Sequence, residues 1–173
     1  MKRRSILDLS AITALGLAFS LNSAVAQTKS LKDQLVGTWT VVSWEQTNKD
    51  GTKQQDFGAN PKGIASFDAN GRFFVMFARP DLPKIASPDR TKVSPQEAQA
   101  INVGSIAYFG TYTVDEPSKT ASLKIESSTY PNQVGPETKR VITSLTADEL
   151  KYTNTTPTGG VGGPINTAFK RAK

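Results

Sequence analysis

The chain has 173 residues, a hydrophobic fraction of 37% and a formal charge of +6. That is a length for one domain and a composition that suits a half-wetted antiparallel sheet, in which only alternate residues need be apolar. It holds no cysteine and no histidine, which excludes disulfides, thiolate catalysis, a Ser-His-Asp triad, a Cys-His pair and a His-ligated zinc.

Residues 1–26 read as an export signal. Lys2-Arg3-Arg4 is a basic n-region, Leu9 to Leu21 an apolar h-region, and Ala24-Val25-Ala26 a cleavage site that makes Gln27 the mature N-terminus. Ser10, Thr13, Gly16 and Ser20 interrupt the apolar stretch, which is too short to span a membrane comfortably. No stable membrane span is expected after cleavage. The paired arginines suit the general secretory and the twin-arginine routes alike. Both predict a protein outside the cytoplasm, periplasmic or secreted. The signal carries Lys2, Arg3 and Arg4 against Asp8, which leaves +4 on the remainder. Those charges are scattered with no Lys/Arg run, so nucleic acid is not an expected partner.

Ser30 to Val36 predicts one short helical turn, capped by Ser30 with Asp33 at N3. Thr38 to Trp44 is rich in β-branched and aromatic residues and predicts a strand, closed by the turn Asn48-Lys49-Asp50-Gly51. Gln54 to Lys62 reads as loop. Ile64–Phe67 and Arg72–Ala78 predict a hairpin about Asn70-Gly71. Pro80 to Pro95 carries four prolines and cannot be a central strand. Ser94-Pro95-Gln96-Glu97 is a capping box with Pro at the first helical position, and Gly104 ends the helix. Further strands are predicted at 106–115, 120–128, 138–145, 150–155 and 165–171. The glycine-rich Thr158–Pro164 is a hairpin loop, since it lacks the lysine and following helix of a phosphate loop. No cofactor is expected.

Eight strands joined mostly by hairpins, with one or two short helices, predict an all-β fold. The preferred architecture is a single up-and-down antiparallel β-barrel. An open sandwich is the second choice.

Several segments point to a family. They are Leu35-Val36-Gly37-Thr38-Trp39 with Ser43-Trp44-Glu45, Asn60 to Ile64, Asp68 to Arg72, and Arg79-Pro80-Asp81. Ala107 to Asp115, Tyr130-Pro131-Asn132 with Gly135, and Arg140 follow. In this order they make residues 35–171 resemble the bacterial lipocalin-like domain family of the calycin superfamily. The resemblance implies one lipocalin-like barrel domain over 27–173 with a central cavity. It also implies that Gly37 and Trp39 on the first strand and Arg171 on the last close one end. The physical basis is a guanidinium lying on an indole face, worth about 0.5–2 kcal/mol. The chain departs from the pattern near Leu123-Lys124-Ile125-Glu126, where many relatives carry a histidine.

Phe73, Val75 and Phe77 form one face of their strand; Phe74, Met76 and Ala78 form the other. Either face can be inward. With Phe74 and Met76 taken inward, the candidate lumen residues are Phe74, Met76, Tyr108, Tyr112 and Arg140. The two tyrosines share a face with Gly110 between them, and a phenol in an apolar cavity wants an oxygen partner. Arg140 shares a face with Ile142 and Ser144. If buried it needs an anion, from protein or ligand. No catalytic group and no metal ligand set is assigned; Glu45, Asp115, Glu116, Glu126 and Glu137 are expected to be solvated.

The leading expectation is an exported, non-catalytic carrier or sensor of a small, mostly hydrophobic molecule. One alternative is a cyclase- or isomerase-like barrel enzyme acting by substrate positioning. Another is a barrel with a filled lumen that binds protein through its outer face or the Pro80–Pro95 loop.

Overall fold

The computed structural model describes residues 29–157 and 162–173. The expected export signal at 1–26 and residues 158–161 of the glycine-rich segment lie outside the described residues. The β-branched and aromatic run after Val36 forms β1 (Gly37–Thr47). It is followed by β2 (Lys53–Gln54), β3 (Lys62–Phe67), β4 (Arg72–Ala78) and β5 (Ser105–Asp115). The last four are β6 (Thr120–Ser128), β7 (Glu137–Leu145), β8 (Glu149–Asn154) and β9 (Ile165–Arg171). Two helices accompany them, α1 (Leu31–Leu35) and α2 (Pro95–Gly104), with a 3-10 turn at Pro131–Gln133.

Every pairing is antiparallel, and neighbours in space follow chain order from β3 to β9. β1 pairs with β3 through Gly37–Thr40 and with β9 through Trp39–Gln46. The sheet therefore closes on itself as an eight-stranded barrel, which removes exposed strand edges from the ring. β2 adds a short ninth strand to the far end of β1, where Gln46 and Thr47 face Gln54 and Lys53. The sequence pattern reads Gln54 as loop. The turn that Asn48 makes to the Thr52 carbonyl (2.9 Å) carries the hairpin two residues further. Register shifts at Val41/Ser43, Phe109/Gly110 and Ile142/Ser144 mark bulges, which bend and twist the sheet locally.

The inward phase of β4 is the opposite of the one that places Phe74 and Met76 in the lumen. Phe73, Val75 and Phe77 are buried; Phe74 and Met76 are 37% and 44% exposed on the outside. The register decides this. Val75 stands between Ala65 and Tyr108, and Phe73 between Phe67 and Gly110, all inward positions.

One end of the barrel is filled. Trp39 is fully buried and its indole N–H donates to the Leu35 carbonyl at 2.9 Å. The Arg171 guanidinium lies 4.0 Å from the Trp39 ring centroid. Its Nη2 and Nη1 donate to the carbonyls of Gln34 (2.8 Å) and Val36 (3.0 Å), and its Nε to Ala147. The bonds to Gln34 and Val36 satisfy carbonyls that the end of α1 leaves unpaired. Gly37 has φ +134°, and a Cβ there would sit 2.5 Å from Arg171 Nη1, so glycine suits both the backbone and the arginine. At the other end of α1, the Glu116 carboxylate accepts from the Leu31 and Lys32 amides at 2.9 and 3.2 Å. Phe67, Leu123, Leu150 and Phe169 complete the packing above Trp39.

Candidate functional site

Away from Trp39 the inward ladder changes character step by step. Leu150, Phe169 and Val41 pair across three strands and form an apolar layer. One step further, Tyr152 pairs with Thr167 and Thr167 with Trp44. The next step is Arg140 against Asn154, Asn154 against Ile165, and Ile165 against Gln46. Strand alternation thus turns four polar side chains, Gln46, Arg140, Asn154 and Thr167, into the barrel, and all four are buried. Here the barrel opens into a cavity of about 490 Å³, within the size range of small-molecule sites.

The walls differ. β7, β8 and β9 supply Arg140, Tyr152, Asn154 and Thr167; the opposite wall is Phe77, Ile106 and Phe57, with Trp44 beside it. Phe57 comes from the loop between β2 and β3 and folds inward. Its ring meets Trp44 edge-on at 5.1 Å and Phe77 at 5.7 Å. The mouth is rimmed by Val103 of α2, Tyr130 and Gln133 of the 3-10 turn, and Asp56. Val103 is 57% exposed. A second hollow of about 520 Å³ adjoins this mouth and shares Asp56, Phe57, Val103, Ile106 and Tyr130 with it.

Arg140 is only 5% exposed. Its Nη1 donates to Thr138 Oγ1 and to the Lys139 carbonyl (3.2 Å), and its guanidinium carbon is 5.7 Å from the Tyr152 ring centroid. None of the ion pairs among the described residues includes it. Burial pushes the Tyr152 phenol well above its ordinary value, and the Tyr108 phenol adds to the shift, against the opposing influence of Arg140 and Thr167. Tyr152 is therefore a hydrogen-bond donor at neutral pH and no base. Gln46 donates to the Gly163 carbonyl at 3.4 Å. Among the described residues no three His, Cys, Asp or Glu side chains gather to hold a metal ion.

Of the five candidate lumen residues, Tyr108 and Arg140 line this cavity. Phe74 and Met76 lie outside the barrel, as described above. Tyr112 is buried in the filled half: its hydroxyl donates to the Asp68 carbonyl at 2.7 Å, and its ring meets Phe67 at 5.2 Å. Desolvation there, aided by Asp68 and Asp33, pushes its phenol up to about 12. As cavity residues, Trp44, Phe57, Tyr152, Asn154 and Thr167 are missed by the sequence pattern, although Trp44 stands in the Ser43-Trp44-Glu45 segment. For four of them the alternation of their strands carried the signal; for Phe57, in a loop, nothing did.

The sequence profile of the lipocalin-like domain family matches residues 36–162. No curated protein matches the chain. Among solved structures, a redesigned β-barrel is 19% identical with a TM-score of 0.43, the alignment covering 84% of this chain and 100% of that one. A de novo designed fluorescence-activating β-barrel is 12% identical with a TM-score of 0.42 and the same coverage. The profile match runs from the residue before β1 through β8, across every strand of the closed ring but β9. The chain belongs to the lipocalin-like domain family.

Proposed function

We propose that this protein is an exported, non-catalytic carrier or sensor that takes up a small, mostly hydrophobic molecule at the open end of its barrel. The observation that carries the reading is the cavity of about 490 Å³ whose one wall is Trp44, Phe57, Phe77 and Ile106. Apolar area removed from water against such a wall contributes about 25 cal/mol per Å² before ordering costs. The polar groups opposite orient a ligand and offer no proton acceptor near neutral pH in Tyr152.

N-phenyl-1-naphthylamine, a neutral aromatic probe, tests the cavity. Its fluorescence should rise on mixing with the folded protein, with quenching of Trp44. Phe57→Ala, with unchanged circular dichroism, should weaken binding about tenfold, since each 1.4 kcal/mol is a factor of ten. No fluorescence change, or equal binding by Phe57→Ala, would sink the reading.

Export rests on Lys2-Arg3-Arg4, the apolar stretch and Ala24-Val25-Ala26. Expressed with its own first 26 residues in a bacterium, the protein should be recovered from the periplasm with Gln27 at its N-terminus. An intact chain confined to the cytosol counts against it.

A further inference from the structure

We infer that the molecule held in this cavity is an organic monocarboxylate, and that Arg140 is the group that recognises its carboxylate. The inference rests on the small-molecule reading above and narrows it to one chemical class.

A buried arginine is costly unless an anion and hydrogen bonds compensate it. Here the guanidinium is almost fully buried, and the barrel offers it a threonine hydroxyl, one carbonyl and the face of Tyr152. No described carboxylate forms an ion pair with it. The bonds to Thr138 and Lys139 both use Nη1, and the Tyr152 phenol is a further hydrogen-bond partner of the guanidinium. Arg140 lines the cavity, and a guanidinium carries five N–H donors, more than these partners use. Two N–H groups on one planar edge of a guanidinium hold a carboxylate through two parallel hydrogen bonds.

The remaining lining agrees with that class. Arg140 is the one cation among the described residues that line the cavity, and Asp56 at the rim is the one anion. A single positive charge balances a monoanion and leaves a phosphate dianion under-compensated. Tyr152, protonated at neutral pH, is a second donor near the same place. Across the cavity, Phe57, Phe77 and Trp44 present an apolar wall for the hydrocarbon part of the molecule.

The test uses N-phenyl-1-naphthylamine as reporter, with 1-naphthaleneacetate and its neutral isostere 1-naphthaleneacetamide as competitors. Wild-type protein should prefer the carboxylate by about tenfold to hundredfold, the range of one charge-assisted hydrogen-bonded pair. Arg140→Met removes the charge at similar length, a change that buried sites tolerate. It should abolish the preference while the reporter still binds. Arg140→Lys keeps the charge without the planar fork and should lose most of the preference; it serves if Arg140→Met does not fold. Reporter binding with no preference for the carboxylate in the wild type overturns this inference and leaves the hydrophobic carrier intact. So does a preference that survives in Arg140→Met. If calorimetry shows that neither the reporter nor 1-naphthaleneacetate binds, both readings fall.

Discussion

Trp39→Ala is expected to cost about 3–5 kcal/mol, the range for emptying a buried large aromatic site. Trp39 is 0% exposed and is the hub of the filled end. Its removal takes away the bond to the Leu35 carbonyl and the surface under the Arg171 guanidinium. Arg171 would then keep its three carbonyl partners around α1 and Ala147 but lose its apolar floor. The β1–β9 seam starts at the same place, because Trp39 and Arg171 are paired across it. The damage should therefore be global and not a local fraying of α1. Chemical denaturation read by circular dichroism measures it. A midpoint shift equivalent to less than about 1 kcal/mol would mean that the seam is held elsewhere.

Gly110→Ala is the second large effect, and its cause is different. A Cβ at residue 110 would lie 2.0 Å from the Lys124 carbonyl oxygen and 3.1 Å from the Glu126 amide nitrogen. Both are backbone atoms of β6, so no side chain can swing aside. The register shift between Phe109 and Gly110 falls at this crossing. One methyl group should force β5 and β6 apart and cost about 3 kcal/mol, the upper end for overpacking. Phe73, which faces Gly110 from β4, would be displaced with it. Thr113→Ala, on the exposed face of the same strand, should stay within about 0.5 kcal/mol of wild type. Thermal melts of the two variants side by side decide the matter: equal melting would refute the contact.

The two predictions bear on what the residues disclose by themselves. The family resemblance made Gly37-Thr38-Trp39 at the head of the first strand and Arg171 in the last a sign of barrel closure, and the guanidinium does lie over the indole. Alternation, turn residues and the Ser94 capping box placed the eight ring strands and α2 nearly where they stand. Gly110 is different. Its place between two tyrosines was visible, but the close crossing of β6 was not, because it depends on a bulge in the pairing.

The candidate site was legible only in part, for the same reason. Alternation in one strand has two phases, and composition ranks Phe74 and Met76 as fit for a lumen as Phe73 and Phe77. Only the cross-strand neighbours break the tie, and they send Phe74 and Met76 outward. Tyr108 and Tyr112 share a face, yet a barrel filled at one end gives them unlike surroundings. Tyr112 meets Phe67 and a carbonyl, while Tyr108 looks into the cavity. The burial of Arg140 needed its neighbours on β8 and the closure of the ring.

The indole and guanidinium that end the barrel were legible through the family resemblance; what the sequence determined by itself was local and periodic: strand positions, turns and caps. These follow from backbone propensity and from spacing along one chain. What only the tertiary structure decided was which face of each strand is wet, where the packed half stops, and which polar groups meet. Those depend on register between strands far apart in sequence, where a slip of one residue turns every side chain to the other face.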